Sequence, residues 1–347
     1  MSKAVYVYGV IDFTEKTTPG FPRSPDGKDA YAVPYHDIAC IARPYPESFF
    51  NSAVREKVAR ELLSHQTLIE EIMKSHSILP FKFGTLLENE DEVRRVLEEN
   101  YLEFKEKLMK IEGKIELDVV AFWPDMYSVI RQMGEEDEQI LSLKRKAAEG
   151  SPADNVQDKV NLGRLISLAL HQRRMVMQKA MLETLNGKVR IDDCKAHELF
   201  DDAMIFNYAF LIDKTRESEF DRALGELNAL SKEKVHFRCV GPLPPYSFFT
   251  HVIQKMNARV LDDAAQTLGL RGREFDLSDI KNAYRQLVRE KHPDKHSGRP
   301  AAQEQFKDIQ ESYKQLLAYC RDVKKPQRQE EVKDFYVVKI WEMGHAQ

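Results

Sequence analysis

The amino-acid sequence predicts an α+β protein: two α+β domains, the second ferredoxin-like, followed by a small all-α helical hairpin. Three observations support this prediction. The chain has 347 residues, which exceeds the usual size of a single domain. Short runs rich in β-branched and aromatic residues alternate with apolar stripes at helical spacing until the third segment begins. From there helical stripes dominate, and one strand-like run lies near the end. We expect four segments: 1–113, 114–255, 256–322 and a tail at 323–347.

The composition limits the classes of function. Hydrophobic residues make up 42% of the chain and charged residues 31%, and the net charge is −4, so no global field attracts nucleic acid. The four cysteines are far apart and lack a metal-like spacing, which favours reduced thiols in a cytoplasm. No run approaches the roughly 20 apolar residues of a membrane span. We therefore expect a cytoplasmic protein without cofactor or metal, and without a nucleic-acid or membrane partner.

The first domain is predicted to open with strands at "KAVYVYGVI", "AYAVPY" and "DIACIAR". A helix follows, because one stripe recurs at helical spacing: Val54, Val58, Leu62, His65, Ile69 and Ile72. No second titratable group is placed beside His65 by spacing, so a hydrogen-bonded core histidine is favoured over a catalytic one. The run "HSILPFKFGTLL" predicts another strand, ending at Gly84, and a second helix precedes Gly113.

The second domain is predicted to begin with strand "KIELDVVAFWP", followed by a helix at 137–148 between the loops "GEEDEQ" and "EGSPADN". A long helix at 156–185, strand "DAMIFNYAFLID", a helix containing Phe220 and strand "KVHFRCVGPL" complete it. The run "GPLPPY" at 241–246 then directs the chain onto an extended path away from a central ladder. Two interpretations remain open for this run: a rigid exit loop packed by Tyr246, or a docking surface.

Several of these stretches share one resemblance. The runs "YVYGVI", "LPFKFGTLL" at 79–87, "FNYAFLID" at 206–213 and "VGPLPPYSF" at 240–248, with His65 in its helix, occur in this order. They resemble the gas vesicle protein F and L family over about residues 3–250. Lys82 and Leu243 replace an arginine and a tryptophan that are usual there, and neither can supply bidentate or stacking contacts.

The resemblance implies a non-enzymatic accessory protein. Such a protein binds the small hydrophobic shell protein of gas vesicles, and other accessory proteins, during assembly. A protein that binds an apolar subunit needs an apolar or strand-edge surface of its own. On that basis, contact with the client subunit is expected at Phe81 and Phe83 in "LPFKFGTLL" and at Tyr246 after the prolines.

The third segment contains two amphipathic helical patterns around a short polar loop. Ile280, Tyr284 and Leu287 mark the apolar face of the first pattern, and Ser278 is its predicted N-cap. Lys281, Arg285 and Arg289 form a row of positive charge on another face, for which a solvated surface and a binding surface both remain open. Pro293 disfavours helical geometry at His292, so His292, Pro293 and Asp294 are expected on the loop. A metal site at His292, Asp294 and His296 is disfavoured because the spacing supplies no fourth ligand.

The runs "LGL", "IKNAYRQLVREKHPDK" and "FKDIQESYKQL" resemble, in this order, the J-domain of DnaJ-type co-chaperones over about residues 260–320. Ala265 occupies a position where that family commonly has an aromatic residue, and "RGREFDL" is a longer connection. The resemblance implies that the basic row of Lys281, Arg285 and Arg289 meets an acidic surface on a DnaK-type chaperone. It also implies that His292, Pro293 and Asp294 reach the domain junction of that chaperone and stimulate ATP hydrolysis.

The leading hypothesis is a gas vesicle assembly accessory protein, associated with gas vesicles in the cytoplasm, that couples client subunits to a DnaK-type chaperone. The alternatives are a minor structural component of the vesicle with a non-functional J-domain, and a metal-dependent hydrolase around His292. The tail run "DFYVVKIWEM" predicts a late strand. That strand either joins a sheet of this chain or binds a partner by strand addition.

Overall fold

The structure is a computed structural model that describes residues 4–13, 30–45, 55–149, 156–231, 234–272, 275–291, 300–322 and 335–341. These residues form two compact units. The first unit comprises Met1–Met109 and His251–Trp341, and the second unit includes Lys110–Thr250. Residues 256–322 and the late strand therefore lie in the same unit as the N-terminal sheet. The division of the chain into four segments stays a prediction.

The described residues in the N-terminal part of the first unit form an antiparallel sheet and three helices. Its elements are β1 (Ala4–Asp12), β2 (Tyr31–Tyr35), β3 (Ile38–Tyr45), α1 (Arg55–Met73), β4 (Ile78–Pro80), β5 (Leu86–Leu87), α2 (Glu90–Glu99) and α3 (Tyr101–Ile111). The strand order is β2-β3-β1-β4, and β5 also pairs with β1. A Cβ atom on Gly9 would lie 2.5 Å from the Leu79 carbonyl oxygen, so the close approach of β1 and β4 requires glycine.

The second unit has the ferredoxin-like topology that the sequence predicts. Its elements are β6 (Lys114–Phe122), α4 (Met126–Glu136), α5 (Glu138–Glu149), α6 (Val156–Lys188), β7 (Asp193–Ala196), β8 (Met204–Asp213), α7 (Glu217–Leu230), β9 (His236–Leu243) and α8 (Tyr246–Phe249). The strand order is β7-β8-β6-β9, and every neighbouring pair is antiparallel. Alternate side chains of β6 lie in the core of this unit: Ile115, Leu117, Val119 and Ala121.

The remainder of the first unit is a helical module bracketed by two strands. These elements are β10 (His251–Met256), α9 (Ala258–Thr267), α10 (Leu277–Lys291), α11 (Pro300–Asp322) and β11 (Phe335–Ile340). We call residues 258–322 the helical module. The late strand pairs antiparallel with β10, so it joins a sheet of its own chain, the first of the two alternatives.

Two local predictions were wrong. The run "HSILPFKFGTLL" is not one strand that ends at Gly84, because the chain turns at Lys82–Thr85 and Gly84 adopts a φ of 87°. The loop predicted around "GEEDEQ" is mostly helical, since α4 continues to Glu136 and α5 begins at Glu138. The strand predicted at "KVHFRCVGPL" is confirmed to its end at Leu243, because β9 is an edge strand, where the missing N–H of Pro242 costs no ladder bond.

Candidate functional site

The helical module is held together by one apolar core. The buried members come from its helices and from β11: Leu261, Ala264, Ala265, Leu268, Leu270, Ile280, Ile309, Leu316 and Val337. The rings of Tyr284 and Tyr313 stack at 4.0 Å between centroids and join α10 to α11. Ala265 is 6% exposed, so the small side chain at this position is packed inside the core. This core fixes which face of α10 points outward.

The start of α10 is set by Asp276 and not by Ser278. The Asp276 carboxylate accepts hydrogen bonds from the backbone N–H groups of Ser278 and Asp279, at 2.8 and 2.9 Å. The Asp279 carboxylate accepts in return from the Asp276 N–H at 3.0 Å, which completes a reciprocal capping arrangement. These hydrogen bonds from Asp279 and Ser278 lower the pKa of Asp276. The predicted cap at Ser278 was therefore wrong by two residues.

The basic row lies on the outward face of α10. Lys281, Arg285 and Arg289 are all exposed, while Ile280 is completely buried on the opposite side. Successive members are four residues apart, so they are neighbours along one line of the helix surface. The cap at Asp276 and the core contact of Ile280 together determine the direction in which this row points. The three residues of the predicted basic row thus lie together on one accessible surface.

His292, Pro293 and Asp294 lie outside the described residues, as does His296. Lys291 ends α10 and Pro300 begins α11. The role predicted for the tripeptide stays a prediction. In the part of the chain that the structure describes, no group of three or more histidine, cysteine or acidic side chains could hold a metal ion.

Phe81 lies in the core of the first unit, which corrects its predicted role as a surface contact. Its side chain is 1% exposed, and its ring lies 6.1 Å from that of Phe104 in an edge-to-face arrangement. The backbone of Phe81 also forms a parallel bridge with His251. In this fold the Phe81 side chain offers no surface to a partner.

Phe83 is half-buried and closes an aromatic cluster in the first unit. Its ring lies 5.6 Å from that of His65 and 6.5 Å from that of Tyr6. The neighbouring Lys82 is exposed, and its Nζ lies 4.6 Å from the Trp341 ring centroid. Part of the Phe83 ring therefore remains accessible beside a positive charge.

His65 is a core histidine, as the sequence favours. It is 4% exposed, and its Nδ1 lies 2.9 Å from the Tyr6 hydroxyl. Burial lowers its pKa to about 4. The nearby Arg43 is 1% exposed, pairs with Glu61, and lies over the Tyr6 ring at 5.1 Å. Arg43 is paired with Glu61 inside the fold, which favours a structural role for this buried polar cluster.

Tyr246 lies in the second unit, where it begins the short helix α8 and is half-buried. The next residue, Ser247, donates from its N–H and its Oγ to the Glu116 carboxylate at 2.8 and 2.7 Å. Burial raises the pKa of Glu116 well above its usual range. Phe248 packs on Ala209 and Leu211 of β8. The segment Tyr246–Phe249 is thus fixed on a face of the sheet, which supports the packed-loop interpretation. Tyr246 nevertheless keeps some exposed surface.

The second unit also carries an apolar groove of about 500 Å³ that the sequence did not reveal. Four elements (α4, α6, α7 and β9) and the connections before α4 and before β9 contribute its walls, which include Trp123, Met177, Met181, Leu227, Leu230 and Phe237. Leu230 is 73% exposed. The lining residues are distant in sequence and most belong to ordinary helix stripes, so no local pattern identifies the groove.

The fold and the exposed row define a class of protein: a two-unit α+β protein that carries a J-type helical module. A family model described as gas vesicle synthesis protein GvpL/GvpF matches residues 4–250, and a DnaJ domain model matches residues 266–321. The chain therefore belongs to the GvpL/GvpF family. This family consists of gas vesicle structural or accessory proteins, and the DnaJ domain is a co-chaperone module.

Individual proteins agree with this assignment. Gas vesicle protein F of Streptomyces sp. (strain CB03234) is 27% identical over 251 residues, which cover 71% of this chain and 99% of that protein. A crystal structure of GvpF from Anabaena sp. PCC7120 matches with a TM-score of 0.59 at 23% identity, over 72% of this chain and 99% of that chain, and it supports the fold. Chaperone protein DnaJ of Nitrosomonas europaea is 43% identical over 54 residues, which cover 16% of this chain but only 14% of that protein.

Proposed function

We propose that this protein is a gas vesicle assembly accessory protein that binds shell or other accessory subunits and recruits a DnaK-type chaperone through its helical module. It acts in the cytoplasm, at the growing vesicle. The observation that carries the proposal is the exposed row of Lys281, Arg285 and Arg289 on a module that follows the region matched by the GvpL/GvpF family model. The protein supplies no catalytic group in this role, because the ATP chemistry belongs to the chaperone.

Electrostatic complementarity explains how the row would act. Three exposed cations in line attract an acidic surface, accelerate encounter and fix the register of docking. The following residues His292, Pro293 and Asp294 would then meet the chaperone at the end of the same helix. Among the described residues, neither Lys281 nor Arg285 forms an ion pair within 4.0 Å, so both remain available to a partner.

The client side of the proposal is supported by accessible apolar surface. Phe83 and Tyr246 are half-buried, and the groove around Leu230 exposes apolar walls to solvent. Contiguous exposed apolar surface is costly in water and commonly marks an interaction site. We propose that client subunits contact one or more of these surfaces, and that Phe81 contributes only by supporting the fold.

The test is stimulation of a DnaK-type ATPase by the full chain. Replacement His292→Gln or Asp294→Asn should abolish stimulation while the circular dichroism spectrum and Tm remain those of the wild type. Lys314→Gln, an exposed position on α11, is the matched control and should stimulate normally. Stimulation by either loop variant at the wild-type rate would reject chaperone recruitment. Stable incorporation into mature vesicles without any chaperone effect would instead favour the minor structural component.

A further inference from the structure

The late strand β11 connects two parts of the first unit. Its Val337 side chain is 1% exposed and belongs to the core of the helical module, with Leu261 and Leu316. Successive residues of a strand point to opposite faces. Tyr336 and Val338, each 3% exposed, therefore lie on the other face. One strand thus contributes buried side chains on both of its faces.

The contacts of Tyr336 lie on α2 and on the residue that ends it. The Tyr336 N–H donates to a Glu99 carboxylate oxygen at 2.6 Å, and the Tyr336 carbonyl accepts from Asn100 Nδ2 at 3.1 Å. Asn100 is 7% exposed, so this bond is made in a desolvated position where its loss would leave buried polar groups unpaired. The Arg95 guanidinium lies 5.7 Å from the centre of the Tyr336 ring.

A second set of contacts comes from β10, the strand that leads into the module. Lys255 pairs with Glu92 at 2.7 Å and with Glu88 at 3.1 Å, and its Nζ lies 5.8 Å from the Tyr336 ring centroid. Residues His251–Met256 pair with Phe335–Ile340 along the full length of both strands. The module is therefore joined to α2 at both of its ends.

The family match ends at residue 250, so both strands of this joint lie outside it. We propose that β11 is a latch that holds the helical module against α2, so that a chaperone recruited by the module works at a fixed position relative to the N-terminal sheet. We call β11 and the residue that follows it, Trp341, the latch. The functional consequence rests on the proposed recruitment of a chaperone, whereas the mechanical role of the latch does not.

The experiment measures the distance between α1 and α10 by double electron–electron resonance on the full chain. Spin labels are placed at the exposed positions Gln66→Cys and Gln286→Cys, with the native cysteines other than buried Cys40 replaced by serine. The unaltered latch should give one narrow distance distribution. Deletion of residues 323–347 should broaden the distribution about twofold or more, because the module is then held at one end only.

The paired replacement Glu99→Ala with Tyr336→Ala retains the strand, so it still tests the latch if the deletion unfolds the module. It should broaden the distribution as well, while Asp91→Ala with Glu98→Ala, two exposed acids on α2, should leave it narrow. A broad distribution in the unaltered chain, or a narrow one in both latch variants, would overturn the proposal. ATPase stimulation is measured on the same latch variants without the spin labels, in which α10 is unchanged, and this separates a failure of the latch from a failure of chaperone recruitment.

Discussion

His65 shows how a buried titratable residue can be structural. Its side chain stacks on Tyr8 at 5.4 Å between ring centroids and hydrogen-bonds with Tyr6. The imidazole is enclosed and the Arg43 charge lies nearby, so both its burial and that charge oppose protonation. The neutral form is therefore the one that fits the fold, and the pH dependence of stability follows from this preference.

We predict that the free energy of unfolding falls as the pH drops below 6.5. The pKa of His65 is about 4 in the folded protein and 6.5 for an ordinary histidine, so the unfolded chain binds more protons between these values. The loss due to His65 should reach about 2 kcal/mol at pH 5. Urea titrations at pH 7 and pH 5 measure it. His65→Gln cannot titrate, and an unchanged pH dependence in that variant would show that other groups cause the effect.

Phe81 and Phe83 should behave differently when each is replaced by alanine. Phe81 is 1% exposed, so Phe81→Ala should lower the free energy of unfolding by about 3–5 kcal/mol through the cavity it leaves. Phe83 is half-buried, so its replacement should cost less stability. Chemical denaturation measures both changes. Retained stability in Phe81→Ala together with weaker binding of a shell subunit would contradict the core assignment.

At the scale of elements, the buried face of α10 determines the direction in which its exposed face points. The capping bonds of Asp276 and the buried Ile280 fix the rotation of the helix, and the basic row follows on the exposed side. Both faces were predictable, because the apolar spacing and the i, i+4 spacing of the cations are local patterns. The true cap was missed because Ser278 and Asp276 are both good N-cap residues.

We predict that the double charge reversal Arg285→Glu with Arg289→Glu weakens binding of a DnaK-type chaperone. The effect should be largest at low ionic strength, since exposed charges act over about 8–10 Å at ordinary salt. Isothermal titration at two or more salt concentrations measures it. Reversal at Lys307 and Lys314, exposed cations on α11, is the control. Binding that is indifferent to both the reversal and the salt would mean that the row is only a solvated face.

Two strands escaped prediction because their structure comes from pairing. Strand β7 has the sequence "DCKA", which lacks β-branched and aromatic residues, and it forms because residues 193–196 pair with β8. Strand β10 was missed in the same way, since its partner β11 lies far along the chain. In contrast, β1, β3, β6 and β8 were predictable because their apolar runs are long enough to be recognised alone.

At the scale of the whole molecule, the boundaries of the two family matches differ from the boundaries of the two compact units. The family match ends at residue 250 and the DnaJ match begins at 266, which suggests two modules in series. In the structure, residues 251–341 instead belong to the same compact unit as residues 1–109. A sequence pattern cannot show this arrangement, because the contacts of Asn100 with Tyr336 join residues that are 236 positions apart. Truncation is therefore not a neutral operation on this protein.

We predict that a fragment ending at Thr250 folds but is less stable than the full chain. Gas vesicle protein F of Streptomyces sp. (strain CB03234) is matched over 99% of its length by 251 residues of this chain, so we expect the fragment to fold as that shorter protein does. The truncation nevertheless uncovers Asn100 and removes His251, which is completely buried beside Phe104.

Circular dichroism should show folded secondary structure with a lower Tm, and a pull-down should show that the fragment retains shell-subunit binding but not ATPase stimulation. A matched fragment ending at Asp322 tests the contribution of β11, because it keeps the module and β10 and removes only the tail. Its Tm should also fall below that of the full chain, since β10 then lacks its partner strand. An unfolded fragment at Thr250 would show that residues 1–250 do not fold on their own. An undiminished Tm in both fragments would show that packing across residues 251–341 does not stabilise the N-terminal sheet.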